Sequence, residues 1–313
     1  MKPLVIYHDS CADGFGAAFA AWLKLGDEAE YVPMQYGHPA IDSMTGKDRE
    51  VYILDFSLPK PQMEQLFRVA QRVVWLDHHA SVFKDWSIPL DVVGDNQYFS
   101  IEDMAHHIVL DNNKSGAILA WEHFHPGTEA PLLLRHIDDY DRWQFKLEGT
   151  KELNAALWTS LWNFPQWKEL LLSDLVPMYK AGKAILLAHE QNVAAVVKGS
   201  ARKCTISTCC PQHGPDIADS VPASWSDGYL RRFDGLAANC PPHLASDVGH
   251  ELAKQSGTFG LLWFIDKDNT CRCSLRSNGD YDVSAIAKAF GGGGHRNAAG
   301  FTTDVQTLLG WTE

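Results

Sequence analysis

Short apolar runs alternate with helical patterns through the first half of the chain. Pro3-Leu4-Val5-Ile6-Tyr7 reads as a buried strand, and the Ala-rich stretch from Gly14 to Leu23 reads as a helix. Val51-Tyr52-Ile53-Leu54 predicts a second strand, residues 60–70 a helix, and Val73-Val74-Trp75-Leu76 a third strand. This alternation predicts an α/β fold, a parallel sheet with helices on both faces. Each strand runs into residues of ligand type: His8-Asp9, then Asp55, then Asp77-His78-His79. In open α/β sheets the functional crevice lies outside the carboxyl ends of the strands, so three strand ends deliver these side chains to one edge.

From Asn112 onward the pattern turns helical, with one helix opening at Ser115-Gly116 and another holding Leu132 to Asp139. Residues from about Leu175 to Val197 form a long amphipathic stretch, with Pro177 and Gly182 inside it, and read as a connector between domains. The remainder shifts to strands and turns. Phe259–Ile265 and Cys271–Arg276 flank Asp266-Lys267-Asp268-Asn269, which predicts a hairpin. A helix over residues 283–290, the run Gly291-Gly292-Gly293-Gly294-His295 and a strand starting at Ala298 follow.

Composition narrows the class. A length of 313 residues fits two domains, and 45% hydrophobic with 21% charged residues supports a packed core. No long apolar segment follows the start, so no signal peptide is expected. No apolar stretch is long enough for a bilayer, which makes the cytoplasm the default location. Seven cysteines, an odd and scattered set, read as reduced thiols. The formal charge of −12 argues against a duplex-binding surface and in favour of a short phosphorylated ligand held by metals and a few Arg or Lys residues.

Imidazole and carboxylate groups suit Mn²⁺, Zn²⁺ and related ions. A pair of such ions about 3.5–4 Å apart clamps both oxygens of a phosphoryl displacement. Asp55 is the candidate bridging carboxylate, with His8, Asp13, His78 and Asp139 around it. Each has a plain structural alternative: Asp13 as a helix cap, Asp138 as a solvated helix charge, any strand-end Asp as a turn former. Adjacent His78-His79 is harder to assign to packing, because a strand end offers little burial for two imidazoles. Four successive glycines allow backbone N–H groups close to an anion, with His295 and Arg296 beside them. Cys204, Cys209, Cys210 and His213 match no standard zinc spacing. Cys271 and Cys273 are expected one in the core and one at the surface. Trp22, Trp75, Trp121 and Trp143 are expected in the core, and Trp225 and Tyr229 are candidates for stacking on a base. Of His106 and His107, one is expected to face the core and the other solvent.

The motif Asp77-His78-His79 resembles the signature of the DHH phosphoesterase superfamily. His8-Asp9-Ser10-Cys11-Ala12-Asp13-Gly14 resembles its first motif, residues 51–56 its second, and Asp138-Asp139-Tyr140-Asp141 its fourth. Gly291 to Gly300 resembles the glycine-rich motif of the attached DHHA1 domain, so the ordered set spans nearly the whole chain. The resemblance implies a parallel-sheet DHH catalytic domain over residues 1–172 and a helical linker over 173–199. A smaller α/β DHHA1 substrate-binding domain follows over 200–313, with an active-site cleft between the domains. It implies two divalent cations, Mn²⁺ first and Mg²⁺, Co²⁺ or Zn²⁺ as alternatives, on His8, Asp13, Asp55, His78 and Asp139, with Asp138 and Asp141 as alternatives to Asp139 at the same helix end and Asp9 as a spare candidate. Asp77 would orient His78, and His79 would face the substrate phosphate. Arg276, Gly292, Gly293, Gly294, His295 and Arg296 would contact substrate. The first motif departs from the family at Cys11, where an Asp is usual; Cys11 either ligates as a thiolate, favouring softer ions, or is a small packing residue. The implied activity is two-metal phosphodiester hydrolysis of short oligonucleotides or dinucleotides to nucleoside monophosphates. The alternatives are a phosphomonoesterase or exopolyphosphatase, and a catalytically idle nucleotide-binding protein. Neither duplex nucleic acid nor membrane is expected as a partner, and a homodimer is compatible with the family.

Overall fold

A computed structural model describes residues 1–35, 43–79, 82–83, 86, 91–93, 96–102, 106–160, 162–209 and 230–312. The chain divides into two compact units, Met1–Leu186 and Leu187–Glu313. The zinc candidates Cys210 and His213 and the stacking candidates Trp225 and Tyr229 lie outside the described residues, as does the side chain of Cys209.

In the first unit β1 (Leu4–His8), β2 (Glu30–Met34), β3 (Glu50–Leu54), β4 (Arg72–Asp77), β5 (Asp91–Val93), β6 (Asn96–Glu102) and β7 (His106–Asp111) form a seven-stranded sheet in the order β2-β1-β3-β4-β7-β6-β5. The five strands from β2 to β7 in that order are parallel, and β6 and β5 add as antiparallel edge strands. β1, β3 and β4 are buried along nearly their whole length, as continuous apolar runs in a sheet covered on both faces must be. One face packs α1 (Ala12–Leu25), α3 (Gly116–Phe124), α4 (Leu132–Asp141) and α6 (Phe164–Leu172) around Phe19, Leu134 and Trp167. The other face packs α2 (Lys60–Val69) around Met63, Leu66 and Trp75. α5 (Thr150–Trp158) lies between α4 and α6 in the chain.

The connector forms one uninterrupted helix, α7 (Val176–Ser200). Pro177 does not interrupt it, because it sits in the first turn, where a missing N–H costs nothing. Among the described residues no helix is long and apolar enough to cross a membrane.

In the second unit β8 (Arg202–Cys209), β9 (Leu230–Asn239), β10 (Phe259–Ile265), β11 (Cys271–Ser277), β12 (Gly293–His295) and β13 (Ala298–Thr303) form a six-stranded sheet in the order β12-β13-β11-β10-β9-β8. Its helices are α8 (Ala245–Ser256), α9 (Ser284–Ala289) and α10 (Val305–Trp311). The 266–269 turn closes the expected hairpin, with Asn269 at a positive φ and Asp266 N–H donating to the Thr270 carbonyl at 2.9 Å. Cys271 and Cys273 are both buried, which corrects the expectation of one inside and one outside. Residues two apart on a strand share a face, and this face meets α9 and α10. His106 and His107 are both half-buried: the first packs on Phe67 and the second on His123, so each sheet face takes one ring.

Candidate metal centre

Three strand ends and one helix end converge at the carboxyl edge of the parallel sheet. After β1 the chain turns through Ser10 at φ 56° and starts α1 at Cys11, which occupies the N-cap without a side-chain cap hydrogen bond. A Cβ on Gly14 would lie 2.7 Å from that of His8, so only glycine lets α1 start this close to the strand end. After β3, Asp55 takes a left-handed backbone at φ 52°, a conformation that costs a non-glycine residue about 1 kcal/mol or more. Its N–H donates to the Leu76 carbonyl at 2.9 Å, and its side chain, 1% exposed, points into the cluster.

The side chains form three overlapping groups, each with its ligand atoms within 4.8 Å of one another: His8, Cys11 and Asp55; Asp55, His78 and His79; Asp13, His78 and Asp141. His78 Nε2 stands 3.1 Å from Asp55 Oδ1, 3.4 Å from Asp141 Oδ2 and 3.5 Å from Asp13 Oδ2. His8 Nδ1 is 3.6 Å from Asp55 Oδ2. Neither buried oxygen of Asp55 receives a hydrogen bond of regular geometry. Buried carboxylate oxygens without such a donor fit a cation as partner. The nitrogen, oxygen and sulfur donor set fits divalent transition metals.

The N-terminus of α3 builds the floor. Gly116 and Ala117 N–H groups donate to Asp13 Oδ2 and Oδ1 at 2.6 and 2.9 Å, and Ser115 N–H donates to Asp138 Oδ1 at 2.8 Å. Asp13 therefore caps α3 rather than its own helix, and Asp138 is a fixed group rather than a solvated charge. A Cβ on Gly116 would come within 2.8 Å of Asp55 Oδ1. The sequence marks Ser115-Gly116 only as a helix start; that the glycine abuts Asp55 appears only in three dimensions.

The cluster's electrostatics call for positive charge. Burial, Asp55 and Asp141 push the Asp13 carboxyl well above the usual carboxylate range. Burial disfavours a charged His78, yet Asp55, Asp13 and Asp141 outweigh it and raise the imidazole to about 10. Burial also works against ionised Asp55, but His78 and His8 hold its carboxyl below the ordinary value. Burial and the neighbouring Asp55 and Asp13 push the Cys11 thiol up, so an ion binding there must displace its proton.

Two expected roles change. Asp139 is not brought to the cluster. Its carboxylate accepts from Lys146 N–H at 2.7 Å, Leu147 N–H at 3.0 Å and the Thr150 hydroxyl at 2.6 Å, and Asp141 takes the place beside His78. Residues 139 and 141 differ by about 200° around α4, so only one can face the sheet edge. Asp77 holds His79 rather than the His78 ring: its Oδ1 lies 2.7 Å from His79 Nδ1 and accepts from the His78 and His79 N–H groups at 2.7 and 3.1 Å. Its Oδ2 is hydrogen-bonded to Ser57, a partner the sequence did not mark. Burial lowers the His79 pKa less than Asp77 and Asp55 raise it, so the net shift is upward.

Behind Asp139 runs a chain of defined polarity. Thr150 donates to Asp139, so it accepts from His136 Nδ1 at 2.8 Å, and His136 Nε2 then accepts from the Tyr179 hydroxyl at 2.8 Å. It fixes the loop after α4, where Trp143 and Phe145 have positive φ. Trp143 is 71% exposed, against its expected place in the core; Trp75 and Trp121 are buried, and Trp22 is partly so.

In the second unit the glycine run is part of a hairpin rather than an open loop. β12 pairs with β13, and a Cβ on Gly292 would lie 2.6 Å from that of Phe301. Gly294, at φ 138°, abuts Ala299, whereas Gly293 faces open space. Arg276 and His295 both pair with Ala298, one from β11 and one from β12, so they occupy one row on the same face of the sheet. Arg276 Nη2 lies 3.2 Å from Ser246 Oγ. Arg296 is turned back, donating to the Asp280 carbonyl at 2.9 Å.

These features define the class: an α/β protein with an imidazole–carboxylate–thiol cluster at the carboxyl edge of a parallel sheet, followed by a second α/β unit. Residues 242–309 match the DHHA1 domain family. That match lies within the second unit; the ordered motifs of the first unit resemble those of the DHH superfamily. It is 28% identical to uncharacterized protein R106 of Acanthamoeba polyphaga mimivirus over 95% of this chain, and spans 66% of that relative's length. Among solved structures it is similar to RecJ of Thermus thermophilus in complex with Mn²⁺, at TM-score 0.48 and 12% identity over 99% of this chain and 50% of that one. It is also similar to the pGpG-specific phosphodiesterase PggH of Vibrio cholerae, at TM-score 0.49 and 10% identity over 97% of this chain and 93% of that one.

Proposed function

We propose that the protein is a metal-dependent phosphodiesterase that hydrolyses short oligonucleotides or dinucleotides to nucleoside monophosphates. The observation that carries this reading is Asp55, a buried carboxylate shared between the His8–Cys11 and His78–His79 groups, with no regular hydrogen bond to either oxygen. His8, Cys11, Asp55, His78, Asp13 and Asp141 would hold two divalent cations, Mn²⁺ foremost. What such a pair supplies is neutralisation of phosphate charge and activation of water. His79, its Nδ1 held by Asp77, is assigned to the leaving oxygen: Asp77 and Asp55 shift its pKa upward, which favours the protonated ring that can donate. Asp77 positions that ring, and Ser57 and the two backbone N–H groups position Asp77. In the second unit, Arg276 and His295 are proposed as anion-binding side chains, with the backbone at Gly293 open to approach. We assign catalysis to residues 1–172 and substrate binding to 200–313, joined through 173–199. The formal charge of −12 supports a short substrate over a long polyanion.

The test is a substrate panel with Mn²⁺, Mg²⁺, Zn²⁺ and Co²⁺. Faster cleavage of a dinucleotide than of a long single strand is expected. Release of inorganic phosphate from a bisphosphonucleoside or polyphosphate, with no dinucleotide cleavage, would replace this reading by a phosphomonoesterase or exopolyphosphatase.

A further inference from the structure

The two ends of the metal centre do not offer the same atoms. One group supplies a sulfur, an imidazole nitrogen and a carboxylate oxygen, from Cys11, His8 and Asp55. The other supplies two carboxylates and an imidazole, from Asp13, Asp141 and His78. Thiolate selects thiophilic ions such as Zn²⁺, whereas carboxylate-rich sets suit Mn²⁺ and Mg²⁺.

Two observations make Cys11 a ligand rather than packing. Its sulfur lies among donors, within 4.8 Å of a buried Asp55 oxygen that lacks a regular hydrogen bond, and Cys11 is absent from the apolar clusters that hold Cys204, Cys240, Cys271 and Cys273. Cys11 also occupies the N-cap of a 14-residue helix without capping it by a side-chain hydrogen bond. Ser, Thr, Asp or Asn there would cap the helix more strongly, by roughly 1 kcal/mol.

We infer that the centre is graded by softness: the Cys11–His8–Asp55 position takes a thiophilic ion, Zn²⁺ or Co²⁺, and the Asp13–His78–Asp141 position takes Mn²⁺ or Mg²⁺. The inference rests on the binuclear reading above, and its test reads binding without substrate. When an ion binds, the Cys11 thiol gives its proton to solvent and the sulfur lone pair forms the bond to the metal, with no change of oxidation state.

The full chain, stripped of metal by chelation and kept in a non-thiol reductant, is titrated with Co²⁺ alone. A near-ultraviolet thiolate-to-cobalt band is expected, saturating with one ion per chain. In Cys11→Ser and Cys11→Asp, each checked for fold by circular dichroism, the band is lost while Co²⁺ still binds. Loaded with equal Zn²⁺ and Mn²⁺ and then desalted, the wild type retains one of each. Cys11→Asp shifts the Zn:Mn ratio towards Mn²⁺ by about tenfold or more. A band unchanged in both variants, a wild type that binds Co²⁺ without the band, or a protein that binds no Co²⁺ would each overturn the inference. A Cys11-dependent band in a protein that cleaves no phosphoester would uphold it and reject the proposed function instead.

Discussion

Asp139 and Asp141 stand two residues apart and are assigned opposite roles, which a pair of amide substitutions separates. The carboxylate of Asp139, 6% exposed, accepts three hydrogen bonds, from Lys146 N–H, Leu147 N–H and the Thr150 hydroxyl. Hydrogen bonds to a charged group contribute about 1.5–3 kcal/mol each. Asp139→Asn keeps one accepting oxygen and sets an NH₂ group against a donor, so it loses at least one bond and leaves another group unsatisfied. With partial relaxation of the 142–147 loop, a loss of about 2–4 kcal/mol follows. In a unit of this size that lowers the melting temperature by roughly 5–15 °C.

Asp141 lies in the opposite balance. Burial and Asp55 push its carboxyl above the usual value, so its charge is destabilising among the protein groups alone. Asp141→Asn should leave the melting temperature in EDTA unchanged or raise it slightly, while Mn²⁺ affinity falls by about 10–100-fold. Calorimetric melting in EDTA and Mn²⁺ titration of each variant read the two effects separately. The assignment fails if Asp139→Asn melts like wild type but binds Mn²⁺ poorly, with Asp141→Asn doing the reverse.

Gly116→Ala should cost about 1–3 kcal/mol and weaken metal binding, because the new methyl must displace Asp55; a urea melt and a metal titration of the same preparation check both. Tyr179→Phe removes the donor to His136 Nε2 and should cost about 1 kcal/mol by urea unfolding, with metal affinity unchanged. His136 has its pKa lowered by burial and by Arg135 against the pull of Asp139, and it also faces Tyr179. The unfolded chain therefore takes up the proton first: the neutral ring's contribution is complete above about pH 6.5 and is lost as pH falls below it. Wild type should lose more stability than His136→Gln between pH 7.5 and pH 5, and equal losses would remove His136 from the account. Asp77→Asn should lower kcat with KM nearly unchanged and flatten the pH–rate profile, since it frees the orientation and protonation of His79.

The strands that carry the site were legible because they are buried on both faces, where continuous apolar runs leave one interpretation. β2 was not, since Glu30-Tyr31-Val32-Pro33-Met34 is a half-exposed edge strand whose proline interrupts the pattern. Chemistry at strand ends could be read because the ends follow from the strands: His8, Asp55 and His78 fall where the alternation places them. Side-chain direction could not. Asp139 and Asp141 look alike in sequence, and only the packing of α4 against α1 and α5 decides which of them turns to the sheet edge. Asp77 ends a buried strand, and its distances show that it serves His79 and two N–H groups rather than the His78 ring. Trp143 follows a helix pattern but leaves it through a positive-φ turn, so its ring emerges into solvent.

The same packing explains why so many carboxylates can lie together. The N-terminus of α3 binds Asp13 and Asp138 through three N–H groups, and the helix dipole favours negative charge there. That fixes Asp13 without neutralising it. Asp13, Asp55 and Asp141 all crowd His78 Nε2, at 3.5, 3.1 and 3.4 Å, so three carboxyl groups compete for one ring nitrogen. The raised pKa values of Asp13, Asp141 and His78 express a single deficit of cationic charge. Bound protons relieve it in part, and divalent cations would relieve more of it while giving the Asp55 oxygens partners. Ions that bound the assembled cluster and not the unfolded chain would link metal binding to folding of this unit, by about 2.7 kcal/mol at a free ion concentration a hundred times the dissociation constant. The left-handed backbone at Asp55 falls at the carboxylate shared by both groups of ligand atoms, where a bound ion would offset its cost.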